Sequence, residues 1–126
     1  ISHEGNSYEL ASNENERRMD MLNELLQQHF RSHKPASFYA SELGISPTHL
    51  TRIVRSTTGS TPHELIAGKL IEEAKRQLVF TLSSVQEISF RLGFADPAYF
   101  SRFFLKYTGE TPRVWRVKEK VRLERA

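Results

Sequence analysis

One pattern is written twice in this chain, and that repetition limits the folds open to it. Residues 39–62 read YASELGISPTHLTRIVRSTTGSTP, and residues 88–112 read ISFRLGFADPAYFSRFFLKYTGETP. Leu43 and Gly44 match Leu92 and Gly93 at an offset of 49, and the second turn carries one extra residue. Thereafter the offset is 50: Pro47 with Pro97, Arg52 with Arg102, Thr58-Gly59 with Thr108-Gly109, and Thr61-Pro62 with Thr111-Pro112. The apolar positions agree as well, Leu50 with Phe100, Ile53 with Phe103 and Val54 with Phe104. Each copy spells a short helix, a glycine turn and a second helix, which is the helix-turn-helix arrangement. Two copies are too few for a solenoid.

Between the copies lies TPHELIAGKLIEEAKRQLVF, residues 61–80, which reads as one long helix. Thr61 is placed as its N-cap, Pro62 at the first helical position and Glu64 three residues after the cap. Leu65, Ile66, Leu70, Ala74 and Leu78 recur at helical spacing, with Lys69, Glu72, Glu73, Lys75 and Arg76 on the other face.

The rest of the chain fits an all-α reading of about seven helices: two helix-turn-helix subdomains joined by the long linker helix. Residues 1–12 show no sustained periodicity, and residues 1–15 are expected to form a linker or tail. Asn13 or Asn15 is a candidate cap for a helix from about residue 16 to 32. Met19, Leu22, Leu25, Leu26 and Phe30 form its apolar stripe, and Pro35 follows its end. In the first copy the helices are expected at about 38–43 and 47–57. Ser84 and Glu87 form a second capping box before a helix at 85–92. Asp96 and Pro97 then open a helix to about residue 107, and Thr111 and Pro112 open the last one. The domain boundaries follow: a first unit at 16–60, the linker helix at 61–80, a second unit at 81–118 and a charged tail, 119–126, expected to fray. The chain begins with Ile and not Met, so a fragment of a longer protein is the expectation.

Composition narrows the function. With 38% apolar and 26% charged residues the chain has enough apolar content for a packed core. No run of 18 apolar residues is present, so no transmembrane helix is expected. Cysteine is absent, which fits a reducing compartment. Net charge is +3, with residues 1–34 at −2 and residues 35–126 at +5, compatible with an anionic partner. There is no P-loop, no G-x-S-x-G elbow and no cysteine nucleophile, so neither catalysis nor a cofactor is expected. His29 and His33, four apart, lack a third ligand at metal-site spacing and read as a surface pair.

A helical wheel locates the candidate site. On the second helix of the first copy, Leu50, Ile53, Val54 and Thr57 gather on one side, while Thr48, Arg52 and Arg55 point the other way, flanked by Thr51 and Ser56. In the second copy Phe100, Phe103, Phe104 and Tyr107 oppose Ala98, Arg102 and Leu105, flanked by Ser101 and Lys106. Each outer face is thus a central arginine among small residues. Arginine binds guanine O6 and N7 in bidentate fashion, Thr and Ser reach bases or phosphates, and Ala touches a thymine methyl. Arg55 and Lys106 suit phosphates, and His49 and Tyr99 sit at the edge of the face. Double-stranded DNA is therefore the expected partner. The alternative is a helical protein-interaction module whose grooves take a partner helix, which leaves the duplicated arginines unexplained.

The stretch EISFRLGFADPAYFSRFFLKYTGETPRVWR carries the pattern GF, then PxYFSRxFxKxxGxTPxxxR. From about residue 16 to 118 the chain resembles the AraC/XylS family DNA-binding domain. The resemblance implies a bacterial, cytoplasmic transcription regulator that binds promoter DNA and often contacts RNA polymerase, commonly with an N-terminal effector-binding and dimerisation domain. Residues 1–15 are too few to form that domain, so the chain is expected to be an excised C-terminal domain, the alternative being a small stand-alone regulator. It carries DNA contact onto Thr48, Thr51 and Arg52, and onto Ala98, Ser101 and Arg102. The first copy departs from the family pattern at Phe38 and Tyr39, where acidic and aliphatic residues are common.

Overall fold

The computed structural model describes residues 2–126, with side chains from residue 12 onward. Among the described residues there are seven α-helices, one 3-10 turn and no strand. In order they are α1 (Ser2–His29), the 3-10 turn Phe30–Ser32, α2 (Ala36–Glu42), α3 (Pro47–Thr58), α4 (Pro62–Phe80), α5 (Val85–Arg91), α6 (Pro97–Thr108) and α7 (Pro112–Arg125). The chain divides into two compact units: Ile1–Phe30 with Lys34–Ile66, and Arg31–His33 with Ala67–Ala126.

The first unit packs the stripe of α1 against the helix-turn-helix pair α2 and α3. Met19, Leu22, Leu26, Tyr39, Ala40, Leu50, Ile53 and Val54 form its buried cluster. Removing each such side chain from water contributes about 1.5–3 kcal/mol for the larger ones, and the period of the stripe follows from that. Ala40 is fully buried, as a close approach of α2 to its neighbour requires. Thr57, expected with the core, is exposed, because the last turn of α3 runs past the packed layer; its hydroxyl instead donates to the Ile53 carbonyl at 2.6 Å.

The second unit repeats the plan with α5 and α6. Ile88, Ser89, Leu92, Phe94, Phe100 and Phe104 are buried. The aromatic rings contact one another: Phe94 to Phe100 at 5.1 Å, Phe94 to Phe103 at 5.3 Å, and Phe104 to Trp115 of α7 at 5.9 Å. Arg116, the last residue of the TPxxxR segment, donates from Nε to the Leu78 carbonyl at 2.8 Å. That carbonyl belongs to the last turn of α4 and has no partner within the helix, so Arg116 caps a helix end.

The expected caps are in place. Thr61 Oγ accepts from the Glu64 amide at 3.1 Å, and Ser84 Oγ accepts from the Glu87 amide at 3.1 Å. In both pairs the glutamate carboxylate accepts from the cap hydroxyl. Two helix ends differ from expectation. Helix α1 begins at Ser2, so Asn13 and Asn15 lie within it and not at its N-cap. No proline interrupts residues 2–15, which are helical without an apolar stripe, and Glu14 pairs with Arg17 and Arg18 at i+3 and i+4. At the other end α7 stays helical to Arg125, held by Arg122–Glu119 and Lys118–Glu110 pairs where fraying was expected.

Candidate nucleic-acid interface

Helices α3 and α6 each start on a capped proline and end on a left-handed glycine. Ser46 Oγ accepts from the His49 amide at 3.0 Å, and Asp96 Oδ1 accepts from the Ala98 amide at 2.9 Å. Gly59 and Gly109, at φ 77° and 84°, close the two helices. Both helices are 12 residues long, about 18 Å. The duplication in the sequence is therefore a duplication of structure.

The core fixes which face looks outward. Leu50, Ile53 and Val54 are buried, so Thr48, Arg52 and Arg55 are exposed on the opposite side of α3, with His49 and Thr51 half-buried at its margins. Phe100 and Phe104 are fully buried, so Ala98, Tyr99, Arg102, Leu105 and Lys106 are exposed on α6, with Ser101 half-buried. Thr51 spends its proton on the Pro47 carbonyl at 3.0 Å, which leaves its oxygen lone pairs and methyl for an incoming group. The ten residues singled out in the sequence thus form one outward face in each unit.

Among the described residues none of Arg52, Arg55, Arg102 and Lys106 is ion-paired with a carboxylate; Arg76, Arg91 and Arg122 elsewhere are. Arg102 lies over the Tyr99 ring at 5.9 Å, and Lys106 over the Tyr107 ring at 5.5 Å. An aromatic face steadies a cation without neutralising it, so the positive charge of α6 stays available to a polyanion.

Sequence reasoning passed over one residue. His33, read as half of a surface histidine pair, belongs to the second unit, whereas His29 rests edge-on against Phe38 in the first at 4.9 Å. His33 Nε2 donates to the Leu92 carbonyl at 2.8 Å, and its ring stands edge-on to Phe94 at 4.5 Å. With Gly93, Phe94, Ala95, Asp96, Tyr99 and Arg102 it lines a depression of about 270 Å³ at the start of α6. The available signal was its position before Pro35, at the end of a helix, where a left-handed residue is common.

This architecture, two helix-turn-helix units each presenting an unneutralised arginine face, defines a double helix-turn-helix DNA-binding domain. The helix-turn-helix domain model matches residues 39–118. The chain belongs to the AraC/XylS family of transcription regulators, of which it is a DNA-binding domain. It is 36% identical over 78 residues to the HTH-type transcriptional activator RhaR of Cronobacter sakazakii, covering 62% of this chain and 28% of that one. It is 28% identical over 103 residues to the bifunctional transcriptional activator/DNA repair enzyme AdaA of Bacillus subtilis, covering 82% and 49%. The chain thus spans less than half the length of these relatives. Among solved structures, the C-terminal domain of the response regulator AraT from Geobacillus stearothermophilus matches with a TM-score of 0.73 at 27% identity, covering 80% of this chain and 84% of that one. The DNA-binding domain of the global transcriptional factor AdpA, solved with a target DNA, matches with a TM-score of 0.68 at 25% identity, covering 83% and 97%.

Proposed function

We propose that this chain reads double-stranded promoter DNA by sequence, with α3 and α6 in two adjacent major grooves, and so regulates transcription in the bacterial cytoplasm. The observation that carries this reading is the recurrence of one unpaired arginine, Arg52 and Arg102, at the same position of two reading helices and opposite two separate cores. Within this reading Arg52 and Arg102 face guanines. Thr48, Thr51, Ala98 and Ser101 contact base edges and methyls, and His49, Arg55, Tyr99 and Lys106 contact the backbone. The free amides at the two capped helix starts add donors for phosphate. The DNA held by AdpA's domain supports the same use of this fold here.

Helix α4 sets the expected spacing. Its 19 residues span about 28 Å, against about 34 Å between successive major grooves on one face of B-DNA. A modest bend in the DNA accommodates the difference. Because the two reading faces differ, the target is one asymmetric site with two unlike boxes. RNA polymerase and an N-terminal effector-binding and dimerisation domain are the further partners of this reading.

The test is selection from random duplexes, followed by fluorescence anisotropy at two salt concentrations. One asymmetric site with two boxes about a helical turn apart, and a steep salt slope, is expected. Arg102→Ala is expected to weaken specific binding by about 1–3 kcal/mol and to relax preference at one base position. Unchanged preference in that variant removes Arg102 from the base readers, and salt-insensitive binding without sequence enrichment favours a protein-docking module instead.

A further inference from the structure

We infer that Arg31–His33 is a strap that positions the second reading helix, and that His33 is its positioning residue; the DNA arm of the test rests on the reading proposed above. The segment lies in sequence between α1 and α2, yet it packs within the second unit. Three contacts hold it to the turn between α5 and α6. The Leu92 carbonyl can only accept, so His33 carries its proton on Nε2 and donates at 2.8 Å. The imidazole edge meets the Phe94 ring at 4.5 Å and 87°. A Cβ built on Gly93 would land on the Arg31 carbonyl oxygen, 2.9 Å from its carbon and 3.1 Å from His33 Cδ2. The strap backbone thus occupies the space a side chain at Gly93 would need.

The contacts continue into the reading helix. Phe94, almost fully buried, touches the rings of Tyr99 at 5.8 Å, Phe100 at 5.1 Å and Phe103 at 5.3 Å, all on α6. Tyr99 in turn carries Arg102 over its face. A short chain of contacts therefore links His33 to the arginine of the reading face. His33 itself is held at φ 53°, the one positive value among the described non-glycine residues. That region is unfavourable for a residue with a Cβ, so the contacts around the ring help to hold it. The first unit has no counterpart: a Cβ at Gly44 would meet nothing within 4 Å. The longer turn of the second copy, at residues 94–95, is the one that receives the strap.

His33→Gly removes the ring and the donor while tolerating the left-handed backbone, and His33→Gln returns an amide N–H to the Nε2 position. Two measurements on the full 126-residue chain decide the matter. In amide hydrogen exchange, His33→Gly is expected to speed exchange about tenfold at the start of α6, at Phe100, and not at the start of α3, at Leu50. In anisotropy on the selected duplex, the discrimination against a changed second box is expected to fall about tenfold while that against a changed first box holds. His33→Gln restores most of both. Unchanged exchange at Phe100, or equal losses at both boxes in a folded variant, overturns the inference. If wild type selects no two-box site, the DNA reading fails and the exchange arm still judges the strap.

Discussion

Gly44 and Gly93 occupy equivalent places in the two turns and share a left-handed backbone, at φ 69° and 86°. They differ in what surrounds them, so alanine at each position forms a controlled pair. The left-handed cost for a residue with a Cβ is about 1–2 kcal/mol. Loss of chain entropy in the unfolded state returns about 0.4–1 kcal/mol. At Gly44, where a Cβ finds open space, the net cost is therefore about 1 kcal/mol. At Gly93 the same cost applies, and the new methyl also collides with the Arg31 carbonyl. That neighbour is backbone, pinned by the His33 hydrogen bond, so it cannot swing aside as a long side chain would. Overpacking of this kind adds about 1–3 kcal/mol, for a total of about 2–4 kcal/mol.

At about 4 °C per kcal/mol for a chain of this size, Gly44→Ala is expected to lower Tm by about 4 °C and Gly93→Ala by about 8–16 °C. The assay is thermal unfolding by far-UV circular dichroism together with fluorescence of Trp115, the single tryptophan, which lies in the second unit. Fluorescence isolates the unit that carries Gly93 even where the two units do not unfold together. Because the left-handed term is common to both variants, their difference reports the Arg31 contact. Equal costs within about 0.5 kcal/mol would refute the close approach of the strap to the turn.

Three further perturbations test other parts of the structure. Proline at Ile71, in the middle of α4, should break the linker helix at a cost of about 3 kcal/mol or more and abolish two-box binding; survival of two-box binding in a folded variant removes α4 as the spacer. Tyr39 is fully buried, its hydroxyl has no hydrogen-bond partner among the described residues, and burial pushes its pKa up. Tyr39→Phe should therefore leave Tm unchanged or raise it, since leaving a buried polar group unpaired costs about 1–3 kcal/mol; a clear fall in Tm would show that the hydroxyl is satisfied. The Glu73 carboxyl is held below its ordinary value of 4.5, chiefly by the Arg76 guanidinium, which bonds it at 2.5 and 3.1 Å. A depressed carboxylate stabilises the fold above that ordinary value, and the contribution is lost as pH falls through the folded value. Acid titration of stability should thus be shallower in Glu73→Gln than in wild type, and identical titrations would exclude the pair as a contributor.

What was legible in the sequence was whatever repeats or caps. The two turns, the proline starts and the glycine stops are local chemistry, and the core stripes follow from burial at helical period. For the same reason the start of α1 was not legible. Periodicity reports a buried face, and a helical segment without an apolar stripe carries no such mark, so residues 2–15 read as a tail. The C-terminal helix follows the same rule: a charged run without a stripe reads as a fraying end, but Glu119 and Arg122 pair along it. His33 shows a different limit. Its donor is used 59 residues away, at Leu92, and no local pattern encodes a contact of that range. The second turn did offer an indirect trace, one residue longer than the first and with a glycine whose neighbour lies far off in sequence. An insertion in one copy of an otherwise faithful repeat marks where that copy meets something its twin does not. In this chain that something is the strap at Arg31–His33, which has no equivalent at Gly44. The two units can therefore share a helix-turn-helix pattern yet differ in how firmly the second helix of each is held, and the difference lies outside the motif that identifies the family.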